Sequence, residues 1–530
     1  MDTSAIVQQI HQRNVDTKNT IFCRRVCKKI TGAIGLDSLN LFFAQLESPS
    51  ILGGNAAKEN GDGFSYWAAK PVEIFKFEAG DKNPFEKLRR VLNKYKLTGG
   101  NSGSILDGIF AGGWIGYFGY ELGKFIEPAS CRHRQNDDEL QLPLIRLCFY
   151  DRVIVYDHRR KECWLIALEL PVDEQNADLS AVVLAKAEEK IAGLERILSR
   201  SQELAIKESK EAVFGEQKFL DSAGSPQANV GCNMDKDYYL RAAEKIKKYI
   251  IDGDVYQVNF SQRFESEFLS QPIEFFQWQN RFNPCGYSAY IGGGDFAIVS
   301  ASPEMFLTIN NGVISTKPIK GTRPRVSEEG EGKKVNEKNY DELVRSEKEQ
   351  AELNMIIDLE RNDLSRICVP GSRGVVQPRT IETYPTVFHA VATVEGRLRS
   401  GVDFCDCLRA MFPGGSITGA PKVAAMKIID ELEPMQRGVY TGSIGFIGID
   451  GNPPSASLNI AIRTVIIKGG KAFVQTGGGI VADSKPEDEW EETLVKAKAL
   501  LTGIKAVSLA YSVEKKIKNQ KLNSCAADKF

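Results

Sequence analysis

The sequence predicts an α+β fold, and three observations carry that expectation. Short apolar strands separated by glycine-rich turns crowd residues 20 to 170 and return at 286 to 316. Helices are interspersed among them without the regular strand–helix alternation of a doubly wound parallel sheet. The chain has 530 residues, too many for one simple core, so two or more domains or one large composite domain are expected.

Taken in order, Leu39-Asn40-Leu41-Phe42-Phe43, the run Gly112 to Tyr120 and Arg152 to Tyr156 read as strands. Cys23 and Cys27, four apart, read as small apolar groups on a helix. Residues 180 to 205 read as a helix charged on one face. Residues 206 to 234 are charged, then bear Gly, Ser and Pro, which suits a linker or variable insertion. An amphipathic helix over Tyr238 to Ile251 closes at Gly253, and the strand Val255 to Phe264 follows. A charged loop (Ser327 to Asn339) precedes a long helix over Tyr340 to Leu359. Strands and short helices continue to Gly479. A last helix spans Lys485 to Leu501, with Ser484 and Pro486 as its start signal. The tail from Glu514 to Phe530 is polar and expected to be loose. These shifts divide the chain into an N-terminal region (1–205), a linker (206–235), a second region (236–505) and a tail (506–530).

Composition narrows the function classes. Lys+Arg total 68 against 69 Asp+Glu, so no global basic field invites nucleic acid or an anionic membrane. Met1 to Asn19 lacks an apolar signal core, and no uncharged apolar run reaches the ~18 residues of a membrane span. The 11 cysteines include no paired CxxC sets, and Cys405-x-Cys407 has no nearby histidine. Reduced thiols in a cytoplasmic protein are the simplest account. With 4 histidines in the chain, a hard metal here would have to use carboxylates.

Chemistry concentrates in the second half. Pro318-Ile319-Lys320-Gly321-Thr322 sets one lysine beside a Gly-Thr turn, downstream of Ser302-Pro303-Glu304. If enclosed, its ammonium is desolvated and the neutral amine becomes a nucleophile or base; the alternative is a loop lysine in water. Glu304, at a strand end, is a candidate general acid if partly buried. Glu349 and Glu352 share one helix face, as do Glu489 and Glu492. Two helices presenting carboxylates to one cleft could hold Mg²⁺, although helix glutamates usually face water. Gly414-Gly415-Ser416-Ile417-Thr418-Gly419-Ala420-Pro421-Lys422 opens a helix and suits an anion, without Walker A spacing. Gly477-Gly478-Gly479 after a strand permits close backbone approach to a carboxylate. Arg463 at a strand end can clamp a carboxylate, and His389 in an apolar stretch is either a structural group or a donor beside a ring.

Together these motifs resemble the chorismate-utilising enzymes: anthranilate synthase component I, aminodeoxychorismate synthase component I, isochorismate synthase and salicylate synthase. The matching elements are Ser302-Pro303-Glu304, Pro318-Ile319-x-Gly321-Thr322, Asp358-Leu359-x-Arg361-Asn362-Asp363-Leu364 and Pro413 to Lys422. Tyr440-x-Gly442-x-Ile444-Gly445, Ala461-Ile462-Arg463-Thr464 and Gly477-Gly478-Gly479-Ile480-Val481-x-Asp483-Ser484 continue the series. They run through residues 236 to 503, and Gly112 to Glu121 resembles the family's N-terminal region.

The resemblance implies a large α/β sandwich of two antiparallel sheets with outer helices. It implies Mg²⁺ at Glu352 and Glu492, with Glu349 and Glu489 as neighbours. It implies chorismate contacts at Gly321, Thr322, Tyr440, Arg463 and Gly477 to Gly479, with His389 near the ring and Lys422 also binding substrate, and Glu304 as the acid that assists loss of the C4 hydroxyl. Lys320 discriminates within the family. Anthranilate synthases, the alternative, carry alanine there. Aminodeoxychorismate synthases, which serve 4-aminobenzoate and folate synthesis, carry a lysine thought to add covalently at C2 of the substrate. A non-catalytic chorismate-binding subunit would have no use for Glu304, Lys320, Glu352 and Glu492 together. No Gly-x-Cys-x-Gly elbow of a glutamine amidotransferase occurs, so the ammonia source is expected to be a separate amidotransferase subunit. Ser48, Gly286, Tyr287 and Ser288 stand where family members bind tryptophan, with Gly286 departing from the bulkier residues expected there.

Overall fold

Many central strands of this protein are covered on both faces. In Phe296–Ser302, Phe296 and Ile298 enter an apolar cluster with Tyr66, Ile115 and Phe446. The alternating Ala297 and Val299 enter another with Leu39, Phe275 and Ala497 of the outer helices. Period-two alternation between two dry faces explains strands that are apolar throughout.

The computed structural model describes residues 20–31, 34–54, 63–97, 109–130, 138–170, 179–208 and 230–527. Among them are a sheet of 13 strands and one of 10. All pairings are antiparallel except that of Ile21–Ile30 with Tyr95–Leu97. The cluster shared by Tyr66, Ile298 and Ile466 of the larger sheet and Ile115, Tyr117 and Phe446 of the smaller lies between them. The expected α+β sandwich with outer helices is therefore observed. Both sheets mix strands from the two halves of the chain: Ser443–Ile447 pairs with Gly113–Phe118, and Tyr287–Gly292 with Ser50–Leu52.

Several elements differ from expectation. Leu39 to Phe43 lies in a helix, Leu36–Ala44, which buries Leu39 and Phe43 one turn apart; a short apolar run does not reveal its own period. Cys23 and Cys27 lie on the strand Ile21–Ile30, not a helix, because its neighbours Tyr95–Leu97 and Glu162–Glu169 supply a ladder on each side. The charged loop and long helix are instead two helices, Gly332–Arg345 and Glu347–Ser365. Ser346 divides them by turning extended and accepting from Glu349 N, the competition with helix that serine favours. The last helix continues through the tail, Pro486–Ala527, where no Gly or Pro follows Gly503 and helix-forming residues abound. Residues 209–229 of the linker, the segment Met1 to Asn19, and His11 and His133 lie outside the described residues. No described helix is long and apolar enough to cross a membrane.

Candidate active site

A β-bulge aims Lys320. The strand Ile319–Pro324 pairs with Val387–Arg397 at Ile319–Val391 and again at Thr322–His389. Three steps on one strand thus oppose two on the other, and the extra residue is absorbed where Gly321 takes φ +93°. Lys320 Nζ donates to the Ser416 carbonyl at 3.2 Å. The Ser416 hydroxyl donates to Glu304 Oε1 at 2.6 Å. Glu304 sits in the turn between Phe296–Ser302 and Met305–Asn310 and is 5% exposed. Burial pushes its carboxyl above the usual range, against the Ser416 hydrogen bond and the Lys320 charge. Burial likewise pushes Lys320 below the ordinary lysine range; Glu352, Glu304 and Glu492 oppose this and Lys496 adds to it. Desolvation thus drives both groups toward their neutral forms, amine and carboxylic acid.

His389 stands opposite Thr322, whose Oγ1 is 2.8 Å from Nδ1. Its Nε2 is buried without a hydrogen-bond partner among the described residues. Burial, then the Arg463 charge, lowers its pKa to about 3, so the ring is neutral near pH 7. Arg463 sits at φ +49° in the turn between Ala456–Ile460 and Thr464–Lys468, with Nη1 3.8 Å from Cys285 Sγ. Tyr440 is buried, its ring 5.8 Å from the Arg437 guanidinium.

The two glutamate pairs arrive on the helices Glu347–Ser365 and Pro486–Ala527. Glu349 Oε1 accepts from Arg323 Nη1 at 2.6 Å, while Oε2 is buried and unpaired among the described residues. Glu489 Oε1 accepts from Ser484 Oγ at 2.6 Å. Burial, with the neighbouring Glu492, raises the Glu489 pKa. Glu492 is held below the usual range: burial works against it, but Lys496, 2.7 Å away, and then Lys320 and Lys348 prevail. Gly477 to Gly479 lie within the strand Lys471–Ile480, not after it, paired with Ser261, Phe260 and Asn259. A Cβ on Gly478 would stand 2.9 Å from Glu489 Oε2, so the glycine admits the helix carboxylate. Among the described residues no three carboxylates converge as a ready-made metal cluster. The donor set is nevertheless all oxygen, with the unpaired Glu349 Oε2 among it, which fits a hard cation such as Mg²⁺.

Lys422 is engaged elsewhere. Its Nζ donates to Asp363 Oδ2 at 2.5 Å and to the Met411 carbonyl at 2.7 Å. Gly286, Tyr287 and Ser288 line a small pocket, open to solvent on one side, with Tyr66, Phe446 and Asn459. Ser48 does not line it, and instead takes hydrogen bonds from Arg146 to its Oγ and from Tyr150 to its carbonyl.

Three residues near the site were given no role of their own in the sequence. Ser416 bridges Glu304 and Lys320. Glu360, the open position of the Asp358 to Leu364 motif, accepts from Gly415 N at 3.3 Å; burial and then Asp363 raise its pKa to about 8. Arg437 forms a buried pair with Glu433 at 2.7 Å and donates to the Ile417 carbonyl and Thr441 Oγ1. The i,i+4 spacing of Glu433 and Arg437 was the available signal.

The sequence model of the family described as chorismate binding enzyme matches residues 55–502. The aminodeoxychorismate synthase component 1 of Bacillus subtilis is 38% identical over 391 residues, covering 74% of this chain and 76% of that protein. The anthranilate synthase component 1 of Pseudomonas aeruginosa is 38% identical over 403 residues, covering 76% of each. The solved anthranilate synthase component I of Streptococcus pneumoniae superimposes with a TM-score of 0.62 at 29% identity, over 83% of this chain and 92% of that one.

Proposed function

This chain belongs to the chorismate-binding enzyme family, and we propose that its reaction is the amination of chorismate to 4-amino-4-deoxychorismate, as in an aminodeoxychorismate synthase component 1. Relatives bearing the two component 1 names are equally similar, so overall likeness does not choose between amination and the further loss of pyruvate that gives anthranilate. The observation that carries the choice is Lys320: a desolvated amine bonded to Ser416, which also bonds the buried acid Glu304. An alanine at that position has no such chemistry to offer.

In this reading the neutral Lys320 amine forms a bond to C2 of chorismate as the C4–oxygen bond breaks. Glu304 gives its proton to the departing hydroxyl, which leaves as water. Ammonia then bonds to C4, the electron pair shifts back, the C2–nitrogen bond breaks to release Lys320 as the neutral amine, and the new C4 ammonium returns a proton to Glu304. Chorismate and ammonia become 4-amino-4-deoxychorismate and water. Arg463, Thr322, Gly321, Tyr440 and the backbone of Gly477 to Gly479 hold the substrate. Neutral His389 directs its free Nε2 at the ring. Lys422, tied to Asp363, braces the turn beneath.

Glu352 and Glu492, with Glu349 and Glu489, would hold Mg²⁺, which when bound neutralises a substrate carboxylate. The component 1 naming of relatives supports a second subunit, which we propose is a glutamine amidotransferase supplying the ammonia. The test is product analysis with chorismate, Mg²⁺ and ammonium. Aminodeoxychorismate, convertible to 4-aminobenzoate by an added lyase, is expected; fluorescent anthranilate with released pyruvate would overturn the reading.

A further inference from the structure

We propose that Ser416 is a positioning residue that holds the Glu304 carboxyl with its hydroxyl and the Lys320 amine with its carbonyl. The inference rests on the reading above, in which Glu304 is the acid and Lys320 the nucleophile.

The geometry assigns each atom a task. Ser416 Oγ donates to Glu304 Oε1 at 2.6 Å, and the Ile319 backbone N–H also bonds the carboxyl, so its orientation is set before the proton is given up. As that proton departs, negative charge grows on a carboxyl 5% exposed. A hydroxyl already aimed at it stabilises the charge without reorganisation. The Ser416 carbonyl, 3.2 Å from Nζ, takes one N–H of the amine and so fixes where the lone pair points.

Ser416 is braced on both sides. Gly415 N donates to Glu360 Oε1, and the Ile417 carbonyl accepts from Arg437 Nη1 at 3.1 Å. Glu433 locks Arg437 through two hydrogen bonds, at 2.7 and 2.8 Å. Even a methyl on Gly415 would meet Leu359 Cδ2 at 2.5 Å. A backbone held this tightly fixes the Ser416 carbonyl and the Cα–Cβ bond from which its hydroxyl reaches Glu304. The charged groups facing Glu304 are Lys320 and, farther off, Glu360; Lys320 in turn faces Glu352, Glu492 and Lys496.

The test compares wild type, Ser416→Ala and Ser416→Thr with chorismate, ammonium and Mg²⁺, measuring kcat across pH and chorismate affinity by calorimetry. Ser416→Ala is expected to lower kcat roughly 10- to 100-fold, the worth of a hydrogen bond to a charged group. Chorismate affinity should stay within about twofold, since the hydroxyl acts on the reacting charge rather than on bound substrate. Loss of a donor to the carboxylate disfavours its ionised form, so the pH limb that reports Glu304 should move upward. Ser416→Thr, which keeps the hydroxyl, should restore both kcat and the limb. The proposal is overturned if Ser416→Ala leaves kcat and both limbs unchanged. It is equally overturned if affinity falls in step with kcat, or if Ser416→Thr is as impaired as Ser416→Ala. Wild-type enzyme that releases anthranilate would instead overturn the functional reading, while the three-way comparison still reports on Ser416.

Discussion

Glu349 closes directly over Gly321: a Cβ on the glycine would stand 2.9 Å from Glu349 Oε2 and 2.9 Å from Leu343 Cδ1. The bulge that aims Lys320 and the helix that carries the first glutamate pair therefore meet at one residue without a side chain. At φ +93° that residue also occupies a conformation L side chains avoid. Gly321→Ala is expected to cost about 1–3 kcal/mol in urea unfolding and to weaken catalysis by displacing Glu349 and Lys320 together. Unchanged stability and unchanged turnover would contradict this packing argument.

The glutamates make a prediction about Mg²⁺. Glu352→Gln and Glu492→Gln each remove a negative charge from a cleft that also holds Lys348 and Lys496. Each variant should raise the Mg²⁺ concentration for half-maximal activity by at least about tenfold. Direct Mg²⁺ titration by calorimetry should weaken in parallel. An unchanged titration removes that residue from the ligand set.

Glu360 makes a prediction about stability against pH. Burial and Asp363 raise its carboxyl from 4.5 to about 8, so the folded protein binds a proton there that the unfolded chain has released. The stabilisation is fully present below pH 4.5 and is lost as pH rises toward 8, with a slope of at most about 1.4 kcal/mol per pH unit. Glu360→Gln keeps an oxygen for Gly415 N and cannot ionise. In urea unfolding from pH 5 to 8, its stability relative to wild type should therefore grow with pH. A constant difference would show that Glu360 is already ionised in the folded protein across this range, its pKa not raised.

His389 gives a third pH statement. With its pKa lowered to about 3 by burial and Arg463, the ring should stay neutral throughout the active range. Its proton resonances are expected not to titrate between pH 5 and 8; a midpoint near 6.5 would contradict the buried, neutral assignment.

Much of the site was legible because its signals are local. Lys320 was visible beside a glycine that the bulge requires, and each glutamate pair lay three apart on a helix. The family motifs then joined these pieces. What escaped was through-space. Ser416 reaches Glu304 across 112 positions and Lys320 across 96. Lys422 is claimed by Asp363, 59 positions away, so a lysine at the end of a glycine-rich turn serves a buried ion pair. Leu39 to Phe43 failed as a strand for a related reason: four apolar residues in a run of five fit either period, and packing against neighbouring helices decided it.

The central claim is that Lys320 acts as a nucleophile in chorismate amination, and Lys320→Ala tests it most directly. The measurement is product formation by this variant and by wild type from chorismate, ammonium and Mg²⁺, beside chorismate binding by calorimetry. The account predicts that aminodeoxychorismate synthesis by the variant falls to background or gives way to another product while chorismate binding is retained. Undiminished aminodeoxychorismate synthesis by Lys320→Ala would contradict it.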